Sequence, residues 1–183
     1  MSKRVELNKF DNSNFRRKNI LIRVLWYFLN EFFLKNSFFI WQLPKIILLK
    51  FFGAKIGIGL VLKPSVSIKY PWNLTIGKNC WVGENVWIDN LDKVIISDNV
   101  CLSQGSMLLC GNHNFNKSTF DLITGEIRLN EGVWVGAKSI VCPGVTLETN
   151  SVLAVNSVAS KDLEKNGVYR GNPAVLVSYR KIS

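Results

Sequence analysis

Histidine is the side chain that titrates near neutrality, and this chain of 183 residues has one, His113. It stands in the segment Gly111-Asn112-His113-Asn114-Phe115. An imidazole there can act as a general acid or base, or it can be a surface histidine without a chemical role. A single histidine excludes every metal site that needs two or more imidazole ligands.

The four cysteines could also carry chemistry, and they are Cys80, Cys101, Cys110 and Cys142. None belongs to a CxxC pair, so we expect no metal site built on thiolates. Their number is too small for a disulfide scaffold in a chain of this length, and we predict free thiols in a reducing compartment. Cys110, which closely precedes the predicted loop, could form a covalent acyl intermediate, but this is a disfavoured interpretation. Cys80, at a corner of the repeat, is most simply a small core residue, and Cys101 and Cys142 beside such corners could be small fillers.

The positive charge lies mainly in one part of the chain. The net charge is +10, and 48% of the residues are hydrophobic, which is typical of a globular protein. Residues 1–55 hold 11 Lys or Arg and 3 Asp or Glu, whereas the remaining 128 residues hold 12 and 10. No nucleic-acid-binding module accompanies the basic segment, so we expect no nucleic-acid partner.

Residues 20–52 are apolar but interrupted by charges. Their longest charge-free stretch, Asn36–Pro44, is about half of what a membrane-spanning helix needs, and no secretory signal fits. Helical spacing and Pro44 predict two helices, with apolar positions at Leu21, Leu25, Phe28, Leu29, Phe32, Ile46, Leu49 and Phe52. The helices could cover one end of the main domain or lie on an anionic membrane, and different faces could do both.

From Ile56 onward an aliphatic residue recurs every six positions. The series is Ile56, Leu62, Ile68, Ile76, Val82, Ile88, Ile96, Leu102, Leu108, Val135, Val141, Leu147 and Leu153. A period of six fits a parallel β-helix whose triangular coil consists of three repeats, with the aliphatic residue in the core and small residues at the corners. We therefore divide the chain into a helical segment, 1–55, and a β-helix domain with a C-terminal tail, 56–183.

Three interruptions of the period mark where the coil carries extra chain. Coil starts at Ile56, Ile76 and Ile96 are 20 residues apart, which places two extra residues at one corner in each of two coils, within Lys69–Thr75 and Asp89–Ile95. The period then stops from Leu109 to Trp134, which predicts a long loop. A long loop on a rigid scaffold is a place to look for function.

The repeat resembles that of the left-handed β-helix acyltransferases. The segments LWYFLNEFFLKNS, LLKFFGAKIGIGLVLKPSVSIKYPWNLTIG, WIDNLDKV, GNHNF, STFDLI, GVWVGAKSIVCPGVTL and YRGNPAVLV resemble the colanic acid biosynthesis acetyltransferase subfamily. The maltose and galactoside O-acetyltransferases are similar more distantly. The resemblance implies an all-β, left-handed parallel β-helix and a homotrimer. It also implies that acetyl-CoA binds in the groove between adjacent β-helices and that a sugar hydroxyl is the acceptor.

The resemblance assigns His113 as the general base. The subfamily usually follows this histidine with Asp, whereas Asn114 follows it here, so another group must orient the imidazole; Asp121 and Glu126 lie in the same loop. Asp89 and Asn90 match, with an offset of about one residue, a corner that binds the acceptor, and Asn112 joins them as a predicted acceptor contact. Asn90 could instead be a simple turn residue.

For acetyl-CoA the resemblance indicates the last coils. Trp134 matches a tryptophan beside the pantetheine arm, and it could also be an exposed or trimer-buried aromatic residue. The remaining predicted contacts are Ala137, Val155, Ser160, Lys161, Gly171, Asn172, Pro173 and Arg180. Lys161 and Arg180 could equally be solvated surface charges.

The sequence thus predicts an acetyl-CoA-dependent O-acetyltransferase in exopolysaccharide biosynthesis, without a metal and with direct transfer to the acceptor. N-acetylation of an amino sugar and a non-catalytic β-helix scaffold are the alternatives. We expect a homotrimer in the cytoplasm that binds a carbohydrate acceptor. Its residues 1–55 could hold it at the cytoplasmic face of the inner membrane.

Overall fold

The computed structural model describes residues 4–13, 15 and 17–183, most of which form a β-helix with three faces. Face 1 contains the strands Lys55–Ile56, Leu74–Ile76, Val94–Ile96, Ile127–Leu129 and Thr146–Leu147. Face 3 contains Ser67–Ile68, Trp87–Asp89, Met107–Leu109, Ile140–Val141 and Val158–Ala159. Within both faces the strands are parallel. The parallel β-helix predicted from the six-residue period is confirmed.

Face 2 is the longest and ends in a hairpin. Its parallel strands are Val61–Leu62, Trp81–Val82, Cys101–Leu102, Trp134–Val135, Val152–Leu153 and Gly167–Gly171. The last strand, Ala174–Tyr179, runs antiparallel to Gly167–Gly171. The C-terminal tail therefore closes this face at one end of the β-helix.

The aliphatic positions of the repeat form the core. Twelve of the thirteen predicted positions are buried, and Ile56, in the first coil, is partly buried. Equivalent residues lie directly above one another, as in the register of Ile76 with Ile96 and of Ile96 with Leu129. Burying each such side chain stabilises the fold by about 1.5–3 kcal/mol.

Asparagine and glycine make most of the tight corners. Left-handed backbone conformations occur at glycines of the repeat such as Gly59 and Gly144, and at Asn79, Asn85, Asn99, Asn150, Asn156 and Asn166, with φ between 54° and 60° for the asparagines. Other glycines of the repeat have a different role, since a Cβ on Gly77 would lie 2.7 Å from the backbone nitrogen of Asp98 in the next coil. The small residues of the repeat are thus explained partly by the close approach of successive coils.

The long loop is shorter than the interruption of the period suggested. It forms an antiparallel hairpin of Gly111–His113 with Leu122–Thr124, and the chain returns to face 1 at Ile127–Leu129, before Trp134. Ile127 and Leu129 are fully buried. The signal was present in the sequence, because Leu129 stands six residues before Val135.

Two helices cover the first coil, as the spacing predicted. Helix α1 is Ile20–Leu29, continued by a π-helical turn Asn30–Leu34, and helix α2 is Gln42–Phe51. Two short 3-10 turns lie at Leu7–Lys9 and Pro71–Asn73. The helices pack onto the coil through Trp26, Leu34 and Leu49, which are buried.

Polar side chains of this helical segment bond the backbone of the first coil. Oε1 of Gln42 accepts the N–H of Leu62 at 2.9 Å, and Oδ1 of Asn30 accepts the N–H of Ile68 at 3.2 Å. Nε1 of Trp26 donates to the carbonyl of Ile68 at 2.9 Å. The helices therefore satisfy main-chain groups that have no preceding coil to pair with.

The apolar stripe of α1 does not pack on the β-helix. Leu21 is 74% exposed, and Leu25, Phe28 and Phe32 are exposed with it. None of the helices in the described part of the chain is long and apolar enough to cross a membrane. The helical segment thus covers the coil with one face and presents an apolar face outward.

Candidate active site

His113 lies on the hairpin that leaves the β-helix between face 3 and face 1. We name this edge the insertion corner and define it by residues 69–73, 89–93 and 110–126, which all leave the coil at the same place. The hairpin is anchored there by two backbone bonds, from Cys110 N to Asp89 O at 3.2 Å and from Gly125 N to Cys110 O at 2.9 Å. The predicted stacking of the extra residues at one corner is therefore present.

The imidazole of His113 is held in one orientation by Phe120. Nδ1 lies 3.0 Å from the carbonyl oxygen of Phe120, and since a carbonyl only accepts, Nδ1 must carry the hydrogen. The two rings also stack, with centroids 4.4 Å apart and planes 6° apart. In the neutral imidazole Nε2 then has the free lone pair, which is the arrangement that a general base needs.

Neither carboxylate of the hairpin is the orienting partner. Asp121 binds Nζ of Lys117 at 2.7 Å and the hydroxyl of Thr119, and these bonds lower its pKa. Glu126 is paired with Arg128. The main-chain carbonyl of Phe120, a residue with a left-handed φ of 49°, orients the imidazole instead. Such a partner has no side-chain requirement, so the sequence could not reveal it.

An N-terminal strap, residues 4–13, lies against the hairpin. The N–H of Glu6 donates to the carbonyl of Ser118 at 2.8 Å, and the N–H of Leu122 donates to that of Asp11 at 3.4 Å. The Phe10 ring lies 5.6 Å from the imidazole of His113, tilted by 58°. No sequence signal connected Phe10 with His113, because the contact joins segments a hundred residues apart.

His113 lines an open cavity of about 400 Å³, which we name the His113 cavity. Of the predicted acceptor residues, Asp89 lines it too, with Oδ1 2.8 Å from Nζ of Lys69. The wall also includes side chains that the sequence did not mark: Phe10, Phe15, Arg17, Arg23 and Tyr70. The wall of the His113 cavity therefore combines an oriented imidazole with aromatic rings, cations and a carboxylate.

Asn90 is not an acceptor contact. It is fully buried, and its amide bonds the backbone of Tyr70 in both directions, accepting from N at 2.9 Å and donating to O. The side chain joins two coils at the insertion corner, which is neither the acceptor contact nor the simple turn residue that the sequence suggested. Asn112 is exposed, its Oδ1 accepts the backbone N–H of His113 at 2.8 Å, and it does not line the His113 cavity.

A second open groove, of about 310 Å³, runs along face 2, and we name it the tryptophan groove. Trp81 and Trp134 line it together with Lys63, Ser103 and Gln104. Trp134 is 46% exposed, and its Nε1 donates to the hydroxyl of Ser103 at 2.9 Å. An apolar groove with one cation and several polar groups fits a long, mainly apolar arm that ends in a charged group.

Several predicted acetyl-CoA contacts lie together after face 2. Ala137 and Val155 are in successive coils, joined by the bond from Asn156 N to Ala137 O at 2.9 Å. The hydroxyl of Ser157 donates to Val155 O at 3.2 Å and accepts from Gly171 N at 3.0 Å. Asn172 and Pro173 are exposed in the adjoining turn, and Ser160 and Lys161 are exposed one corner further along the coil.

Arg180 lies elsewhere on the chain. Its Nη1 donates to the carbonyl of Gly132 at 2.9 Å, and its backbone N–H donates to Asn166 O. Both partners precede strands of face 2, whereas Val155 and Gly171 follow them. The structure does not bring Arg180 together with the other predicted contacts, and its guanidinium stabilises the C-terminal hairpin.

The cysteines show no sign of nucleophilic activation. All four are free, and burial raises the pKa of the Cys110 thiol to about 12. A buried thiol with that pKa has almost no thiolate at neutral pH, so Cys110 is a poor candidate for an acyl intermediate. In residues 4–13, 15 and 17–183, no group of His, Cys, Asp and Glu could hold a metal ion.

A three-faced β-helix with an inserted histidine hairpin defines a hexapeptide-repeat protein. No protein-family model matches the chain. The chain is similar to the putative colanic acid biosynthesis acetyltransferase WcaF of Escherichia coli K12, with 36% identity over 172 residues, which are 91% of each chain. The chain belongs to the hexapeptide-repeat acetyltransferases, in the group of this relative.

Two solved structures share the fold. The acetyl-CoA complex of a hexapeptide-repeat acetyltransferase from Vibrio cholerae superposes with a TM-score of 0.80 at 19% identity, over 88% of both chains. A galactoside acetyltransferase in complex with coenzyme A gives a TM-score of 0.78 at 26% identity, over 87% of this chain and 80% of the other. The predicted left-handed β-helix is confirmed.

Proposed function

We propose that the chain is an acetyl-CoA-dependent O-acetyltransferase that acts on a sugar hydroxyl during exopolysaccharide biosynthesis. One observation carries the proposal: Nδ1 of His113 is committed to Phe120 O, which leaves Nε2 as the base on a residue that lines the His113 cavity. Aromatic walls such as those of Phe10 and Tyr70 suit the apolar face of a sugar ring.

His113 moves one proton in this reaction. Acetyl-CoA supplies the acyl group as a thioester. Nε2 takes the proton of the acceptor hydroxyl while that oxygen bonds to the thioester carbon. When the carbon–sulfur bond breaks, the proton passes from Nε2 to the sulfur, which gives the acetyl ester and free coenzyme A thiol. Phe120 O keeps the ring in place and stabilises the transient imidazolium.

The proposed donor site is the tryptophan groove together with the turn that follows face 2. Trp134 would line the pantetheine arm, and Ala137, Val155 and Gly171 would contribute backbone groups. The groove is open on a single chain, and Trp81 is 61% exposed. We therefore propose a homotrimer in which an adjacent β-helix closes the groove.

We also propose that the outward stripe of helix α1 lies on an anionic membrane surface. Its apolar residues, Leu21, Leu25, Phe28 and Phe32, are exposed, and residues 1–55 carry a net charge of +8. A large exposed apolar face next to cationic side chains suits a surface of anionic lipid headgroups. Such a position would bring the enzyme to lipid-linked sugars.

The test is thiol release from acetyl-CoA with a panel of sugar acceptors. His113→Ala should lower turnover by about 10²–10⁴ while acetyl-CoA still binds, because a positioned base contributes that much. Asn116→Ala is the matched control, since Asn116 is exposed on the same hairpin. Equal turnover of wild type and His113→Ala would refute the base assignment, and activity on amino sugars alone would favour N-acetylation. A folded chain that binds no acetyl-CoA would be a scaffold.

A further inference from the structure

The His113 cavity has an excess of positive charge. Arg17, Arg23 and Lys69 line it, and Asp89 is its one carboxylate in the described part of the chain. Lys69 is paired with Asp89, with Nζ and Oδ1 2.8 Å apart. The guanidinium groups of Arg17 and Arg23 are therefore left without an acidic partner, since neither lies within ion-pair distance of a carboxylate of the described residues.

Arg23 occupies the boundary between two cavities. It lines the His113 cavity and also an adjoining cavity of about 280 Å³, in which Trp26 and Trp87 are found. Its Nε is buried and has no hydrogen-bond partner among the described residues. The two carboxylates of the adjoining cavity are already paired, Glu31 with Lys35 and Asp89 with Lys69.

Nε of Arg23 is a buried donor on a charged group that has lost its water without gaining a partner, which costs folding free energy, whereas Arg17 is exposed. The cost is offset when an anion binds. A guanidinium fork matches an oxyanion with two parallel hydrogen bonds, which a neutral sugar cannot provide. The chemistry of the vacant donors thus specifies a ligand with a phosphate or carboxylate group.

We propose that the acceptor sugar carries an oxyanion and that Arg23 and Arg17 bind it while His113 deprotonates a hydroxyl of the same molecule. The inference rests on the proposed acetyl transfer and narrows its substrate class to anionic sugars. The oxyanion is either the phosphate of a phosphorylated or diphosphate-linked sugar or the carboxylate of a uronic acid. Binding of the oxyanion would hold the sugar ring beside Tyr70 and the imidazole.

The kinetic test compares three acceptors with the same ring: glucose, glucose 1-phosphate and glucuronic acid. We expect kcat/KM for one of the two anionic sugars to exceed that for glucose by about tenfold or more at low ionic strength, mainly through KM. Which of them is preferred distinguishes phosphate from carboxylate. Arg23→Gln should lower kcat/KM for the preferred anionic sugar to about the value for glucose.

Two further variants control for folding and for net charge. Because Arg17 lies outside α1, Arg17→Gln should weaken the preference for the anionic sugar even if Arg23→Gln disturbs the helix. Lys50→Gln removes one positive charge from an exposed position on α2 and should leave all three acceptors unaffected. A wild-type enzyme without preference, or an Arg23→Gln variant that changes all three acceptors alike, overturns the inference.

Calorimetry separates this inference from the proposed reaction. Glucose 1-phosphate and glucuronic acid are titrated into His113→Ala, with glucose as the reference, and one anionic sugar should bind more tightly than glucose unless Arg23 is replaced. Anion binding that depends on Arg23, without turnover of any acceptor, would support the anion site and refute acetyl transfer. Turnover without discrimination would refute the anion site alone. If no anionic sugar binds and no acceptor is turned over, both the anion site and acetyl transfer are refuted.

Discussion

A main-chain carbonyl orients the imidazole of His113, the residue proposed as the general base. The replacement of the usual Asp by Asn114 does not leave His113 unsupported, because Phe120 O accepts the Nδ1 hydrogen and the Phe120 ring stacks on the imidazole. Since the partner is neutral, it fixes the tautomer without adding a negative charge beside the ring.

The sequence predicted two of the residues that line the His113 cavity but not most of its wall. His113 stood out because it is the one histidine of the chain, and Asp89 because the resemblance placed it, with an offset of about one residue, at a corner that binds the acceptor. Phe10, Arg17 and Arg23 could not be found, since nothing in a repeat pattern says where a chain end will fold back. Asn90 was predicted as a ligand contact, whereas its amide is used between coils.

Lys45 provides a prediction about stability. Its side chain is fully buried in α2, Nζ has no hydrogen-bond partner among the described residues, and burial lowers its pKa from 10.5. Lys45→Met should raise the free energy of unfolding at neutral pH by about 1–4 kcal/mol, since an apolar side chain of similar size replaces a buried amine. Denaturant unfolding measures this difference.

The pH dependence gives the same prediction a second readout. Because the pKa of Lys45 is lower in the folded state, the unfolded chain binds more protons there, and wild-type stability should rise as the pH approaches 10.5. Lys45→Met should lack that rise, and Lys50→Met, at an exposed lysine of the same helix, should keep it. A destabilised Lys45→Met variant with the wild-type slope would contradict the argument.

At the scale of elements, the site is made of three segments that the β-helix brings together. The hairpin supplies His113, the insertion corner supplies Asp89 and Lys69, and the N-terminal part of the chain supplies Phe10 of the strap and the cations Arg17 and Arg23 that follow the strap. The sequence predicted both helices, but not which face of α1 is buried. Trp26 and, in the π-helical turn, Asn30 are buried. Of the predicted apolar positions in this helix and turn, Leu29 packs against the core, whereas the others are exposed, namely Leu21, Leu25, Phe28 and Phe32.

The exposed stripe predicts binding to anionic vesicles. The wild-type chain should cosediment with phosphatidylcholine vesicles that contain phosphatidylglycerol, and less with phosphatidylcholine alone, because both apolar insertion and charge contribute. Replacing Leu21 and Leu25 together by Asp should abolish the binding without reducing turnover of soluble acceptors. Both side chains are more than half exposed, so the fold should tolerate the change.

The control for this experiment is Ile182→Asp, at an apolar residue near the C-terminus that is 63% exposed. It adds a negative charge of the same kind and should leave vesicle binding intact. Equal loss in the control and in the α1 variant would indicate a general charge effect. Cosedimentation that is independent of both would argue against the membrane proposal.

At the scale of the whole molecule, the six-residue period was sufficient for the architecture. It specified three faces, the core residues and the corner where the insertions stack, because every coil repeats the same packing problem. It left the end of the hairpin undetermined, because Leu129 is a single match to the period after a long interruption, although Ile127 and Leu129 are buried and alternate with Glu126 and Arg128. The six-residue period gives even less information about the quaternary structure than about the end of the hairpin.

The trimer proposal predicts a particle of about three times 20.7 kDa in light scattering. The reason is the apolar surface that one chain leaves exposed, including Trp81, Trp134 and Val155 beside the proposed donor site. Acetyl-CoA turnover should be lost on dilution to monomers, because one chain forms only one wall of the groove. A fully active particle of 20.7 kDa would refute the proposal.

The bonds from Gln42 and Asn30 to the first coil have a consequence for self-association. A parallel β-helix ends in a row of unpaired main-chain groups, which is a template on which another chain can add a strand and start a fibril. The N–H groups of Leu62 and Ile68 are occupied by amide side chains of the helical segment, and the C-terminal hairpin covers face 2 at the other end. The helical segment and the C-terminal hairpin therefore cap the two ends of the β-helix. These caps prevent the stack of coils from being extended by strands of another chain.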